Sequence, residues 1–330
     1  MRAVVYQRNG GPEVLTDTEI DVPAPGPKDL VVAVHAVSVN PVDTKIRCGD
    51  IALEPGVLGY DAAGVVVGVG AEVEMFHEGD EVYYAGSITR PGTNAQVHVV
   101  DERLVGPLPR SLSFAQAAAL PLTALTAWES LFERFGLDAD STGTLLVVSA
   151  AGGVGSVLVQ LAKALTGVTV LGTASRPESQ RHVADMGAHH VVDHTDLVTN
   201  VLAVAPDGVD MIFSPRTGGM IETYEQLLRP GGAICAIDEP EGLELLPLKS
   251  KSISFHWELM FSRAIYQTPD MVAQHNILHT VAGLVDAGTV RSTLTTEIDS
   301  FSAASMRRAH EMVEEGHMVG KVVVSGVQET

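Results

Sequence analysis

The most restrictive stretch of this chain is Thr144–Leu165, TLLVVSAAGGVGSVLVQLAKAL. Leu145–Val148 is a short uninterrupted apolar run, the pattern of a strand buried on both faces. A turn follows: Ala150, Ala151, Gly152, Gly153, Val154 and Gly155. Val154, Val157, Leu158, Leu161, Ala162 and Leu165 then recur at helical spacing on one face. Strand, glycine-rich turn and helix in this order make a dinucleotide fingerprint, here with alanine in the first glycine position. Gly152 lets the backbone approach a pyrophosphate, Gly155 lets the helix pack closely on the strand, and the helix N-terminus offers free N–H groups to the negative charge. Ala151, Gly152, Gly153, Val154 and Gly155 are the predicted phosphate-loop contacts. A glycine-rich turn of some other α/β fold is the alternative, disfavoured by the flanking strand and helix.

Dinucleotide choice is set about 20 residues further on, where NAD binders place an acid on the ribose hydroxyls. The second strand, Val168–Leu171, runs into Gly172, Thr173, Ala174, Ser175, Arg176 and Pro177, with no acid before Glu178. Ser175 and Arg176 stand where a 2′-phosphate would lie, and guanidinium–phosphate pairing suits that position. The expected cofactor is NADPH. A solvated loop role for Arg176 is the alternative.

Further apolar runs at His190–Val192, Met211–Phe213 and Ala233–Ile237 alternate with helical stretches at Glu178–Met186 and Gly219–Leu228. Strand–helix alternation with continuous apolar strands predicts a doubly wound parallel sheet. Gly187 and Pro230-Gly231-Gly232 read as its stops. The first ~120 residues differ. Leu30–Val39, Gly64–Val69, Glu81–Tyr84 and Ala95–Val100 are short β-rich runs between turns, the pattern of a compact β-barrel-like domain. Beyond residue 265 the period is helical again, with Thr268-Pro269 read as the start of a helix to about Ala287, and Ser302–Glu315 as a second helix before Lys321–Val324. This segment is expected to return to the first domain. The predicted division is 1–121 with 266–330, and 122–265.

The 330 residues are 45% hydrophobic and 19% charged, ordinary for a globular chain. No run approaches the ~18 apolar residues of a membrane span. Two cysteines, Cys48 and Cys235, exclude a disulfide framework and a four-cysteine zinc site, and fit a cytoplasmic location. The net charge of −20 repels nucleic acid and anionic membranes. The few arginines near a nucleotide site gain weight accordingly.

Several stretches resemble one superfamily, the medium-chain dehydrogenase/reductases: AVSVNPVDTKIR (36–47), GYDAAGVVVGVG (59–70), GDEVYYAGSITRPGTNAQ (79–96), AAALPLTALTAWESLF (117–132), the AAGGVG loop, TASRPES (173–179), LKSKSISFHWELMF (248–261) and GKVVV (320–324). The chain is similar to the zinc-free quinone oxidoreductase (zeta-crystallin-like) branch, and especially to the group labelled zinc-binding alcohol dehydrogenase family protein. The resemblance implies an α/β chain with a Rossmann doubly wound sheet domain plus a GroES-like β-barrel-type catalytic domain, as a homodimer. Zinc-dependent relatives supply a cysteine and a histidine–glutamate pair where this chain has Asn40 and Tyr60-Asp61. Asparagine and tyrosine are poor replacements for thiolate and imidazole as zinc ligands, so no metal is expected.

Without zinc an alcohol is hard to activate, whereas a quinone or α,β-unsaturated carbonyl accepts hydride directly. The implied function is an NADPH-dependent quinone or enone reductase. The resemblance places Asn40, Tyr60 and Lys45 as catalytic candidates in the cleft between domains. It places Asn40, Thr126, His194 and Lys321 beside the cofactor with Ser175 and Arg176. A loop-capping amide is the competing role for Asn40 and core packing for Tyr60, while Arg47 is read as surface charge rather than as a substrate contact. The loop Ser214-Pro215-Arg216-Thr217 departs from the family pattern. The other readings are a zinc alcohol dehydrogenase and a non-catalytic NADPH-binding protein.

Overall fold

The computed structural model describes residues 1–328. They divide into two compact units: Met1–Leu125 with the chain from Phe261 onward, and Thr126–Met260. Both junctions lie a few residues from the 122 and 265 read from the pattern. In chain order the elements are β1 (Arg2–Tyr6), β2 (Leu15–Glu19), β3 (Asp29–Ser38), α1 (Pro41–Cys48), β4 (Ala62–Val69), β5 (Glu81–Tyr84), β6 (Val97–Asp101), β7 (Val105–Pro107), α2 (Phe114–Ala118) and α3 (Pro121–Trp128). Then follow β8 (Thr144–Val147), α4 (Gly153–Leu165), β9 (Thr169–Thr173), α5 (Pro177–Met186), β10 (His190–Val192), α6 (Leu197–Val204), β11 (Val209–Ser214), α7 (Ile221–Leu227), β12 (Leu228–Ala236) and β13 (Ser254–Trp257). The chain ends with α8 (Ser262–Tyr266), α9 (Ala273–Asp286), β14 (Leu294–Ile298), α10 (Ala303–Glu314) and β15 (Lys321–Ser325).

The first unit is organised around β3. Its valine-rich ten residues pair with β4 along most of their length, with β6 at the start and with β15 at the end. One strand sharing three partners curls the sheet into the barrel-like GroES-type domain. β14, β15 and α10 belong to this unit. The C-terminal segment therefore completes the same sheet as the N-terminal strands.

In the second unit six parallel strands run in the order β10-β9-β8-β11-β12-β13. This is the Rossmann order, with the reversal between β8 and β11. Leu146, Leu171, Ile212 and Ile234 on the strands pack with Val201, Tyr224 and Leu227 from the helices. Each such fully buried aliphatic side chain contributes roughly 1.5–3 kcal/mol.

Three local readings change. Pro230-Gly231-Gly232 does not stop an element, because β12 runs through it. Its ladder to β11 shifts register opposite Val209–Met211, so the proline and its neighbour sit in an exposed irregularity where no donor is required. Thr268-Pro269 does not start α9. Those residues form tight turns, Met271 N to Thr268 O and Ala273 N to Asp270 O, and the helix begins at Ala273. α6 is an unanticipated helix: Leu197–Val204 is too uniformly apolar to show a helical period, but Asp196 caps it through the Thr199 N–H.

Candidate active site

The nucleotide side of the parallel sheet is its C-terminal edge, where the loops after β8, β9, β10 and β11 emerge. In the loop after β8, Ser149 adopts a left-handed conformation (φ 56°). Its N–H donates to Thr173 Oγ1 at 2.9 Å, and the Ala150 N–H donates to Thr173 O at 3.3 Å. Those bonds tie the loop to the end of β9. α4 then starts at Gly153 with Gly152 as N-cap and no side-chain cap. Gly152, Gly153 and Val154 are partly exposed, while Gly155 is buried. A Cβ on Gly155 would lie 2.6 Å from Ala150 Cα, so only glycine lets α4 start this close to the loop. Gly152 meets nothing nearer than 3.4 Å, which leaves its face open to a ligand. A backbone cradle with uncapped N–H groups suits a pyrophosphate.

After β9, Ala174 is buried, Ser175 is half-buried and Arg176 is exposed as the N-cap of α5, with Pro177 at its first position. After β10, His194 is exposed and Asp193 turns the chain through the Thr195 N–H at 2.8 Å. Both loops place their side chains on the sheet edge that carries the glycine cradle. Thr126 is buried on α3. His189 is structural, its Nδ1 accepting from Val170 N at 2.9 Å.

The loop after β11 is heavily built. Ser214 Oγ donates to Arg216 O at 2.8 Å and accepts from Arg216 N at 2.9 Å. Tyr224 OH donates to the same carbonyl at 2.7 Å. Asp238 accepts from Thr217 N at 2.6 Å and from Thr217 Oγ1 at 2.9 Å. The Arg216 side chain is exposed on this scaffold. Tyr224 and Asp238 carry no motif, and no sequence pattern links them to the loop.

In the first unit, Asn40, Asp43, Asp61 and Lys321 form one buried network. Asp43, at the third position of α1, accepts from Asn40 N at 2.8 Å and from Gly59 N at 2.9 Å. Asp61 accepts from Asn40 Nδ2 at 2.7 Å, Leu122 N at 2.7 Å and Lys321 Nζ at 3.2 Å. Lys321 Nζ also donates to Val39 O at 3.0 Å and to Asn40 Oδ1. Three acceptors use the three N–H bonds of an ammonium. Lys321 therefore has no donor left for a cofactor; it positions Asn40 and Asp61. Asn40, with both ends of its amide engaged and almost no exposure, offers at most one remaining N–H. Burial pushes Asp43 up to about 7 and raises Asp61, against the pull of Lys321. Burial lowers the Lys321 ammonium in turn.

Tyr60 is 3% exposed, its ring edge-on to Phe261 with centroids 5.4 Å apart. Its hydroxyl makes no hydrogen bond among the described residues and is pushed well above its ordinary range by burial and then by Asp43. Lys45 is half-buried on α1. Arg47 is not surface charge. It is fully buried, donating to Gly10 O at 3.1 Å and Cys48 Sγ at 3.1 Å, and pairing with Glu314. His310 Nδ1 lies 3.4 Å from the same guanidinium, and burial with Arg47 pushes this histidine down to about 3, so it is neutral. The short period of α1 concealed this, because the partners are more than 260 residues away on α10.

Among the described residues no three His, Cys, Asp or Glu side chains converge so as to hold a metal ion. Nor is any helix long and apolar enough to cross a membrane.

Fold and site together define a two-domain dehydrogenase/reductase. Residues 26–112 match the alcohol dehydrogenase GroES-like domain family and residues 186–324 the zinc-binding dehydrogenase family. A zinc-type alcohol dehydrogenase-like protein of Staphylococcus epidermidis is 39% identical over 92% of this chain and 93% of its own length. The quinone oxidoreductase of Rattus norvegicus is 31% identical over 98% and 97%. The crystal structure of Escherichia coli quinone oxidoreductase complexed with NADPH superposes with a TM-score of 0.87 at 26% identity, covering 98% of this chain and all of that one. The chain belongs to the medium-chain dehydrogenase/reductase superfamily of oxidoreductases, in its zinc-type alcohol dehydrogenase-like group.

Proposed function

We propose that this protein is an NADPH-dependent reductase of quinones or α,β-unsaturated carbonyls that works without a metal. The observation that carries the reading is the pair of loops after β8 and β9: an open glycine cradle, and beside it a β9 loop that offers Ser175 and Arg176 and no carboxylate before Glu178. Relatives that are quinone oxidoreductases, one of them bound to NADPH, support it. When bound, the dinucleotide supplies a hydride. Gly152–Gly155 hold its pyrophosphate at the start of α4, and Arg176 with Ser175 takes the 2′-phosphate. His194 borders the adenosine.

Zinc does not fit the residues at hand. At the two positions where zinc-dependent relatives carry a thiolate and an imidazole, this chain has an amide and a phenol. The Asn40 amide is already committed at both ends, to Asp61 and to the Lys321 ammonium. A second cation beside that ammonium would be repelled.

We assign the protein to the cytoplasm and to a homodimer. β13 is an edge strand whose last residue, Trp257, is half exposed, as is Leu259 just beyond it. Such an edge is a pairing surface rather than core. No nucleic acid is a partner for a chain of this charge.

The deciding experiment is NADPH against NADH oxidation across 1,4-quinones, enones and enoyl thioesters, together with metal analysis of protein purified without added zinc. Faster turnover with NADPH and sub-stoichiometric zinc is the expected result. Stoichiometric zinc with alcohol oxidation defeats the proposal, and tight NADPH binding with no turnover on any acceptor leaves a non-catalytic binding protein.

A further inference from the structure

The chain enters the second unit at Thr126, inside α3, and leaves it at Met260. A buried carboxyl group stands close to each of these ends. Glu129 is the fourth residue of the unit and Glu258 the third from its end. Glu129 opens a π-helical turn, Glu129–Arg134, that prolongs α3; the Phe135 N–H reaches back to Ser130 O at 3.1 Å. A π turn is rare and often marks a functional position. Glu258 follows β13, and its N–H donates to Ala236 O at 2.9 Å, which fixes its backbone at the end of β12. The two acids meet inside the unit. Glu129 and Glu258 are in hydrogen-bond contact, and Arg134 Nε donates to Glu258 Oε2 at 2.7 Å. Neither carboxyl belongs to the glycine cradle or to the Asn40 network.

A carboxylate accepts hydrogen bonds and donates none. Two carboxyls in hydrogen-bond contact therefore hold a proton between them. Both are buried, the Glu258 side chain completely, and like charges side by side in a buried site do not ionise together. The guanidinium fixes the charge on Glu258 and leaves the proton with Glu129. Glu258 Oε1 has no N–H or hydroxyl donor among the described residues, so a proton on the pair is the remaining way to satisfy it. The surroundings supply no second cation. Burial raises Glu258 against the pull of Glu129 and Arg134, and the exposed Glu133 on the same turn adds to the rise. Cys235 on β12 lies against Ser130, and burial pushes its thiol up to about 12, so it is neutral. His256 on β13 is lowered by burial and then by Arg134, so it is uncharged above neutral pH.

We propose that Glu129, Glu258 and one shared proton, held by Arg134, form a proton-dependent clamp that ties the entering segment of the second unit to its leaving segment. Loss of the proton leaves two buried negative charges against one guanidinium, and the pair separates. The clamp needs neither cofactor nor acceptor, so it stands independently of the reductase reading. Its direction with pH follows from proton counting. In the open state both carboxyls are solvated and ionised at neutral pH, so opening releases one proton. The opening constant then rises about 10-fold per pH unit until the closed pair itself ionises.

Hydrogen–deuterium exchange of the full chain, read by mass spectrometry and corrected for the intrinsic rise of exchange with pH, tests this. Above neutral pH, residues 129–137 and 254–258 should lose protection together, about 10-fold per pH unit, while β8 and β11 keep theirs. Glu129→Gln places a permanent donor beside Glu258 and should abolish that slope with protection intact. Arg134→Met should raise exchange of both segments about 10-fold or more at neutral pH. Infrared spectra in D2O at neutral pH give a second reading. The protonated-carboxyl band should weaken by one group in Glu129→Gln, and the share of it that belongs to Asp43 is untouched by this variant. Protection in the unaltered protein that stays constant with pH, or that falls in one segment alone, overturns the proposal and requires no variant to fold. A carboxyl band or a pH slope unchanged in Glu129→Gln overturns it as well.

Discussion

The two candidate regions spend their polar groups in opposite ways. The glycine cradle of the second unit leaves backbone N–H groups at the start of α4 facing outward, with no side-chain cap to satisfy them. The Asn40–Asp43–Asp61–Lys321 network of the first unit has nearly every donor and acceptor matched internally and almost no exposure. Groups left open are available to a ligand. Groups closed on one another hold the backbone in place, and a charge lost from such a set leaves its partner buried and unpaired. The contrast assigns binding to the first set and positioning to the second.

The largest effect should come from Lys321→Met. Removing one partner of a buried ion pair costs about 3–5 kcal/mol. Urea unfolding should show that loss, and a fully stable variant with only weakened nucleotide binding would erase the contrast. Next, Arg176→Ala should raise the KM for NADPH about 10-fold or more, from a charge-assisted bond worth about 1.5–3 kcal/mol. It should leave urea unfolding within about 0.5 kcal/mol, as an exposed site does. An unchanged KM removes Arg176 from the site.

The smallest effect sharpens the network side. Asp43 is held up to about 7 in the folded chain, against an ordinary 3.8. Between those values the folded state keeps a proton that the unfolded chain has released. Raising pH through that window therefore removes stability, by up to about 1.4 kcal/mol per pH unit from this one group. Asp43→Asn should flatten that slope in unfolding free energies measured at about pH 5 to pH 7. Parallel slopes for the two proteins would show that Asp43 is ionised throughout.

Legibility in the sequence follows the same division. The cradle was readable because its requirement is local: Gly155 must lack a Cβ to clear Ala150, five residues before it. The parallel sheet was readable because continuous apolar strands recur between helices. The network was only half readable. Asn40 with Asp43 three residues on is a helix-start pattern. The closing of Lys321 onto Asn40, 281 residues away, leaves no trace in either local segment. Arg47 was misread for that reason, since its helix carries charge at a position that α10 covers.

The scaffold after β11 has a consequence for how such an enzyme diversifies. The side-chain bonds that shape the loop use the backbone of residue 216 or the side chains of Ser214, Thr217, Tyr224 and Asp238. The guanidinium itself takes no part in holding the loop. Position 216 is thus a socket: its side chain can be exchanged over evolutionary time, or by design, while the conformation that presents it to the edge of the sheet is inherited unchanged.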